Sequence, residues 1–161
     1  MDFKKLKNQI TSIGESFVYV FKDIETEREE LRNERLSVCK SCPLFQKSDN
    51  RSRCNPNLLI DPISGQVKLN TLDNLKNYPT FKSGCGCTLE NYGNPLGEKI
   101  TVIGHGNTCP AGKWNRVESE FLEVIGDSNE ERIKEVGITQ YAYENNLKLR
   151  FKNDPNKTEL E

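Results

Sequence analysis

The sequence predicts an α+β fold in three parts. A long N-terminal helix is expected over residues 1–37, a small cysteine-rich domain of strands and loops over residues 38–114, and a short helical, acidic extension over residues 115–161. Three observations favour this division: apolar residues recur at helical spacing near the start, cysteine, glycine and proline crowd the middle, and capped helix patterns follow.

The composition limits how much apolar core this chain can form. Of its 161 residues, 34% are hydrophobic and 29% are charged, and the mean hydropathy is -0.73. A chain of this length can form one domain with appendages, but such a polar one buries a modest core. We therefore expect additional stabilisation from a metal, from oligomerisation or from packing into a larger assembly.

The charge is unevenly distributed along the chain. The formal net charge is -1, yet residues 38–114 carry 9 basic and 5 acidic groups, whereas residues 115–161 carry 7 and 11. A surplus of this size does not by itself indicate a nucleic-acid surface. The longest apolar run, residues 17–21, is far too short for a membrane span, and no secretory signal pattern is visible. We expect an intracellular protein with no membrane partner and with reduced thiols.

The N-terminal segment has the clearest periodicity. An apolar residue recurs every seven positions, and a second row fills the intervening spacings of three and four, giving Phe3, Leu6, Ile10, Ile13, Phe17, Val20, Ile24, Leu31 and Val38. This stripe predicts an amphipathic helix. The second row becomes charged at Glu27 and Glu34, so we expect its packing to end near residue 25. The helix either lies on its own domain or contacts a second subunit.

The middle of the chain predicts short strands. Leu58, Leu59 and Ile60, a turn at residues 61–65 and a second strand at residues 66–70 form a predicted β-hairpin. Residues 100–103 predict another strand, which ends at Gly104.

The C-terminal region predicts three helices and a strand. Residues 117–125 show a helical pattern that stops at Gly126. A second helix is expected from the N-cap Ser128 to Val136, with Gly137 as its stop. A third is expected at residues 140–146, and residues 147–151 alternate as an edge strand does.

Six cysteines are the strongest functional signal: Cys39, Cys42, Cys54, Cys85, Cys87 and Cys109. The C-x-x-C spacing of the first two lets both sulfurs turn to one side, as a tetrahedral zinc ion with bonds of about 2.3 Å requires. One zinc takes four ligands, so the cysteines could form one four-sulfur site with two free thiols, one site with a reducible pair, or two zincs sharing sulfurs. The spacing allows either of two ligand sets, Cys39, Cys42, Cys54 and Cys85 or Cys39, Cys42, Cys87 and Cys109.

Zinc binding is one of several chemistries that these six cysteines could support. Disulfides, an iron–sulfur cluster or redox chemistry are the alternatives, and His105, the only histidine, could replace one thiolate. Metalloprotease, deaminase and phosphate-loop motifs are missing from the sequence, and a four-cysteine site is coordinatively closed, so we do not expect an enzyme. Trp114 is expected to pack over the metal-binding turns.

The combined motif string resembles a known family. It runs from Arg35 through the C-x-x-C turn, Cys54 and the G-C-G-C stretch to the C-P-A-G-K-W sequence that ends at Trp114. This string is similar to small zinc-ribbon-like proteins of tailed bacteriophages, and most similar to those of crAss-like phages of gut Bacteroides. Residues 98–105 replace a more basic stretch of that family. The resemblance implies a phage protein that works in the bacterial cytoplasm or in a virion, and implies no activity.

Two functions follow as expectations. The first is a zinc-stabilised virion assembly protein, such as a neck, tail-ring or portal-proximal component, assembled in the host cytoplasm with phage structural proteins as partners. The alternative is a zinc-ribbon regulator that binds nucleic acid or RNA polymerase, favoured by the basic middle region with Lys68, Lys76 and Lys82.

Overall fold

The computed structural model describes residues 24–92, 96–154 and 156–160, and within them helices alternate with short strands. The helices are α1 (Ile24–Ser41), α2 (Leu72–Asn77), α3 (Glu98–Thr101), α4 (Asn115–Phe121), α5 (Glu130–Val136) and α6 (Ile138–Glu144). The strands are β1 (Phe45–Lys47), β2 (Arg51–Cys54), β3 (Leu58–Ile60), β4 (Val67–Leu69), β5 (Lys82–Ser83), β6 (Thr88–Asn91), β7 (Leu122–Ile125) and β8 (Lys148–Phe151). None of the helices in the described ranges has the length and apolar character needed to cross a membrane.

Three small antiparallel sheets confirm the α+β class. Their strand orders are β1-β2-β6, β4-β3-β5 and β7-β8. The first two sheets lie among the cysteines and the third lies in the C-terminal region. Small separate sheets of this kind cannot enclose one large core, so each is covered by nearby helices and loops.

Helix α1 contains the described part of the N-terminal stripe, from Ile24 onward. Leu31 is fully buried, and Ile24 and Val38 pack against the cores around it. Residues 1–23, which carry the rest of the predicted stripe, lie outside the described residues. The expectation that packing ends near residue 25 is wrong, because Arg35 is completely buried and forms an ion pair with Glu118. The helix also continues across the domain boundary predicted after residue 37.

The predicted β-hairpin is confirmed. Strands β3 and β4 pair antiparallel, with Ile60 opposite Val67. The Asp61 N–H donates to the Gln66 carbonyl at 2.9 Å, and Gly65 takes a φ of 75°, which favours glycine. Helix α2 and strand β5 follow, and we call residues 56–83 the arm. Its apolar interior is small, with Leu59, Ile60 and Phe81 as its buried hydrophobic residues.

Two predicted elements are wrong. The strand predicted at residues 100–103 overlaps helix α3, because Ile100 and Thr101 both donate backbone N–H groups to Gly97. The carbonyls freed after this short helix accept hydrogen bonds from arginine side chains of α1. The helix predicted at residues 117–125 ends at Phe121, and its last part becomes strand β7, whose Leu122 pairs with Phe151.

The C-terminal helices are confirmed with shifted boundaries. The N-cap of α5 is Asn129, not Ser128, because the Asn129 side chain accepts the Arg132 N–H. Gly137 ends α5 as expected, with a φ of 87°, and α6 begins directly after it. The strand predicted at residues 147–151 is β8.

Ten buried hydrophobic residues form the main core, and most belong to the C-terminal region: Leu31, Val117, Leu122, Ile133, Ile138, Tyr141, Ala142, Leu149, Phe151 and Leu160. Two smaller clusters lie beside the cysteines, one with Leu36, Leu89, Ile100 and Trp114 and one with Leu44, Ile60 and Ala111.

Candidate metal centre

Five of the six predicted metal ligands line one cavity of about 40 Å³: Cys39, Cys42, Cys54, Cys85 and Cys109. A space of this size holds roughly one ion or one water molecule. The fold therefore brings together residues that are up to 70 positions apart in sequence. All four members of the first ligand set line this cavity, whereas Cys87, which belongs to the second set, does not.

Tight turns present the cysteines to this cavity. The Cys42 N–H donates to the Cys39 carbonyl at 3.0 Å where α1 ends, and the Gly112 N–H donates to the Cys109 carbonyl at 2.9 Å. The Cys85 sulfur accepts the Cys87 N–H at 3.3 Å across Gly86, whose φ of 74° permits the sharp turn. Backbone N–H groups aimed at sulfur stabilise the thiolate form, which is the form that binds metal.

The charge around the cavity favours an anionic centre. Among the residues that the structure describes, Lys99 and Lys113 are the charged side chains that line it, and no carboxylate or histidine does so. Lys99 acts to lower the pKa of Cys85 and of Cys109. Four thiolates around a Zn²⁺ ion carry a net charge of about -2, which these two lysines would offset.

Without an ion, burial opposes ionisation of most of these thiols. Burial raises the pKa of Cys39 to about 12 and also raises the pKa of Cys109. The interaction between the neighbouring side chains of Cys54 and Cys85 raises the pKa of Cys54 and lowers that of Cys85. A metal ion reverses such preferences, because the bond to its positive charge replaces the proton.

Trp114 forms one wall of the cavity. The side chain is 1% exposed, and the guanidinium of Arg35 lies 4.7 Å from the centre of its ring. Its indole N–H group acts to lower the pKa of Cys39, against the larger effect of burial. Among the described residues, however, no acceptor forms a hydrogen bond of acceptable geometry with the buried Nε1 atom. A metal-bound thiolate at Cys39 is a suitable acceptor for this N–H group. Trp114 thus packs against the cysteine turns, as expected, while metal binding by these turns stays a prediction.

A buried ion pair supports the back of Trp114. Arg35 donates to Glu118 at 3.3 Å, and both side chains are 0% exposed. Thr108 and Thr139 also donate to this carboxylate, while Arg35 donates to the carbonyls of Ile100, Val102 and Asn107. Burial raises the pKa of Glu118, although Arg35 and the two hydroxyl donors act in the opposite direction. This network joins α1 to α4, to α6 and to the loop before Cys109.

The sulfur positions do not yet match a coordinated ion. Across residues 24–92, 96–154 and 156–160, no group of three or more histidine, cysteine, aspartate or glutamate side chains could hold a metal as it stands. The donor type, the positive surroundings and the orphaned indole N–H nevertheless fit a soft, thiolate-binding ion such as zinc. The cysteine turns would have to move inward for the ion to bind.

The remaining candidates, Cys87 and His105, lie elsewhere. Both line a separate cavity of about 670 Å³, and His105 also borders one of about 280 Å³ together with Tyr143 and Lys148. His105 occupies a left-handed conformation with a φ of 55° between two glycines. It does not reach the cysteine cavity, so the structure gives no support to His105 as a fourth ligand.

Sequence reasoning missed three residues of this site. Lys99 borders the cavity, and Arg35 and Glu118 support it from behind. One feature of the sequence could have indicated the buried ion pair. Arg35 lies between the apolar positions Leu31 and Leu36 of a helix, and a buried charge there needs a partner of opposite charge.

No protein-family model, no curated protein and no solved structure matches this chain. The resemblance to phage proteins therefore stays a prediction from the residues.

Proposed function

We propose that this protein is a zinc-stabilised structural protein that assembles with other proteins of a tailed bacteriophage, as a neck, tail-ring or portal-proximal component of the virion. The convergence of five cysteines on one small cavity carries the proposal. Four of them would hold a single Zn²⁺, and the ion would link turns that are otherwise joined by small apolar clusters. A closed four-sulfur site stabilises a fold and has no open position for catalysis.

The arm supports the assembly role. Five of the eight large hydrophobic side chains exposed in the described ranges lie on it: Ile63, Leu69, Leu72, Leu75 and Tyr78. Helix α2 buries no residue, and Leu72 is 86% exposed. Residues three apart share one face of a helix, so Leu72 and Leu75 present a single apolar row. Concentrated apolar exposure of this kind marks a protein contact surface.

The helix α2 is well ordered by local hydrogen bonds. The Thr71 hydroxyl accepts the Asn74 N–H at 3.1 Å, and the Asn74 side chain donates to the Leu69 carbonyl at 2.9 Å. The apolar row is therefore prearranged, which reduces the entropy lost when a partner binds. Lys68, one of the lysines that suggested nucleic-acid binding, lies 4.2 Å from the centre of the Tyr78 ring and is engaged within the arm.

Native mass spectrometry of the reduced protein, alone and released from purified particles, tests both the zinc binding and the assembly with other proteins. We expect one zinc per chain and a complex with phage structural proteins. The double variant Leu72→Ser, Leu75→Ser should keep its zinc and lose the complex, whereas the control Tyr143→Ser, at an exposed residue outside the arm, should keep both. A metal-free protein that still melts cooperatively, or a folded monomer that binds no virion protein, contradicts the proposal.

A further inference from the structure

The two ends of the arm meet at the metal centre. Strand β2 ends at Cys54, whose carbonyl accepts the Gly86 N–H at 3.0 Å, and the Cys54 N–H donates to the Cys87 carbonyl at 3.1 Å. A Cβ atom added to Gly84 would lie only 2.0 Å from the Asn55 carbonyl oxygen and 3.1 Å from the Cys54 sulfur. Residues 54–55 and 84–85 are therefore direct neighbours, although 28 residues separate Asn55 from Gly84.

These four residues reproduce the spacing of the first cysteine pair. When residues 56–83 are left out, the order becomes Cys54, Asn55, Gly84, Cys85, with two residues between the cysteines as in Cys39–Lys40–Ser41–Cys42. A side chain larger than the hydrogen of glycine would not fit at position 84, which is a requirement of close backbone approach.

The two cysteines also share one cavity. Cys54 and Cys85 both line the space of about 40 Å³ that Cys39 and Cys42 line, and position 84 lies directly against the Cys54 sulfur. Two sulfurs on one tetrahedral zinc with bonds of about 2.3 Å lie roughly 3.8 Å apart. Inward movement of the two turns would bring Cys54 and Cys85 to this separation, since both already line the same small cavity.

We propose that Cys54 and Cys85 form a second C-x-x-C turn that the arm interrupts, and that zinc is bound by Cys39, Cys42, Cys54 and Cys85. This inference rests on the proposed zinc binding. Cys109 lines the same cavity from a separate turn, closed by the Gly112 N–H, and has no paired cysteine two residues away, so we place it outside the set of four ligands. Cys87 faces the other cavity. The arm is then an insertion that presents a contact surface without contributing a ligand.

Cobalt(II) in place of zinc tests the ligand set, because its visible absorption band depends on the number of sulfur ligands. Six single cysteine-to-serine variants of the full chain are titrated with cobalt under reducing conditions. Serine at position 39, 42, 54 or 85 is expected to abolish the four-sulfur band, and serine at position 87 or 109 to leave it in place. Loss of the band in Cys109→Ser together with its retention in Cys54→Ser would overturn the assignment.

Deleting the arm tests the interrupted turn directly. Deletion of residues 56–83 joins Asn55 to Gly84 and creates a continuous C-x-x-C sequence, which we expect to keep the four-sulfur cobalt band. The matched control deletes residues 55–84, two residues more, so that Cys54 directly precedes Cys85 and the band should be lost. If the two deletion variants gave the same cobalt absorption band, the proposal of an interrupted turn would be contradicted. If the unaltered protein binds no cobalt or zinc, the zinc proposal itself fails, which separates the two conclusions.

Discussion

The C-terminal region and the cysteine region of this molecule are stabilised in different ways. The main core contains ten buried hydrophobic residues, whereas the two clusters beside the cysteines contain four and three. At about 1.5–3 kcal/mol for each large apolar side chain removed from water, burial in the main core contributes more than twice as much as burial in either cluster beside the cysteines. The cysteine region therefore has fewer apolar contacts than the C-terminal core, and under the proposed function a zinc ion would replace the missing ones.

Removing the proposed zinc ion is the change with the largest expected effect on this comparison. Structural zinc contributes an apparent free energy of about 10–16 kcal/mol in small metal-binding peptides, so a chelator should unfold the cysteine region. The C-terminal core should keep most of its protection because its buried residues do not contact the cavity. Amide hydrogen exchange followed by mass spectrometry, with and without chelator, measures both regions in one sample. Equal loss of protection in residues 38–92 and 115–154 would contradict the contrast.

Breaking the buried ion pair should uncouple the two regions. Glu118→Ala leaves Arg35 as an unpaired buried charge, and such losses cost about 3–5 kcal/mol of unfolding free energy. The double variant Arg35→Met, Glu118→Leu should be less destabilised than Glu118→Ala alone, because no charge remains buried. Urea denaturation measures these differences.

The matched control for this pair is the neighbouring exposed pair. Arg116 and Glu120 lie 3.8 Å apart on the same helix, with the Arg116 side chain 87% exposed. Glu120→Ala is expected to change the unfolding free energy by less than about 0.5 kcal/mol. A similar loss for Glu118→Ala and Glu120→Ala would show that the Arg35–Glu118 pair has no special role.

The smallest expected effect concerns the acid response of the C-terminal end. Burial opposes ionisation of Asp154, but the N–H groups of Thr158 and Asn156 outweigh it and lower the pKa of this carboxyl. Its stabilisation is therefore present above the ordinary aspartate pKa and is lost as the pH falls through the lowered value. Asp154→Ala should cost about 1 kcal/mol at neutral pH and nothing at the lowest pH. Amide hydrogen exchange of residues 147–154 in metal-free protein at several pH values, with Asp154→Asn as the isosteric control, measures this, and a constant difference would contradict it.

Local sequence signals predicted much of the fold. The turn at residues 61–65 and the helix stop at Gly137 were predictable, because each depends on the backbone preferences of only a few neighbouring residues. The strand predicted at residues 100–103 failed because three apolar residues suit either a strand or a short helix. Here the carbonyls of Ile100, Thr101 and Val102 bind arginines of α1, and no local pattern indicates such a distant partner.

The candidate site was predictable in residue type and less so in arrangement. Cysteine spacing indicated which side chains could meet, but it left open whether Cys54 and Cys85 or Cys87 and Cys109 join Cys39 and Cys42, because this depends on how the arm returns to the sheet. The arm returns where Gly84 packs closely against Asn55, and this contact is not visible in the sequence because 28 residues lie between the two. The Arg35–Glu118 pair was equally hidden, since its partners are 83 residues apart.

The position of Trp114 gives the molecule a built-in optical reporter. It is the single tryptophan of the chain, and it lies between the guanidinium of Arg35 and the wall of the cysteine cavity. Its fluorescence therefore comes from one location, the junction between helix α1 and the cysteines. Ion uptake, loosening of that junction and loss of the nearby charge pair can each be followed as a change in emission, without attaching a dye or introducing a label.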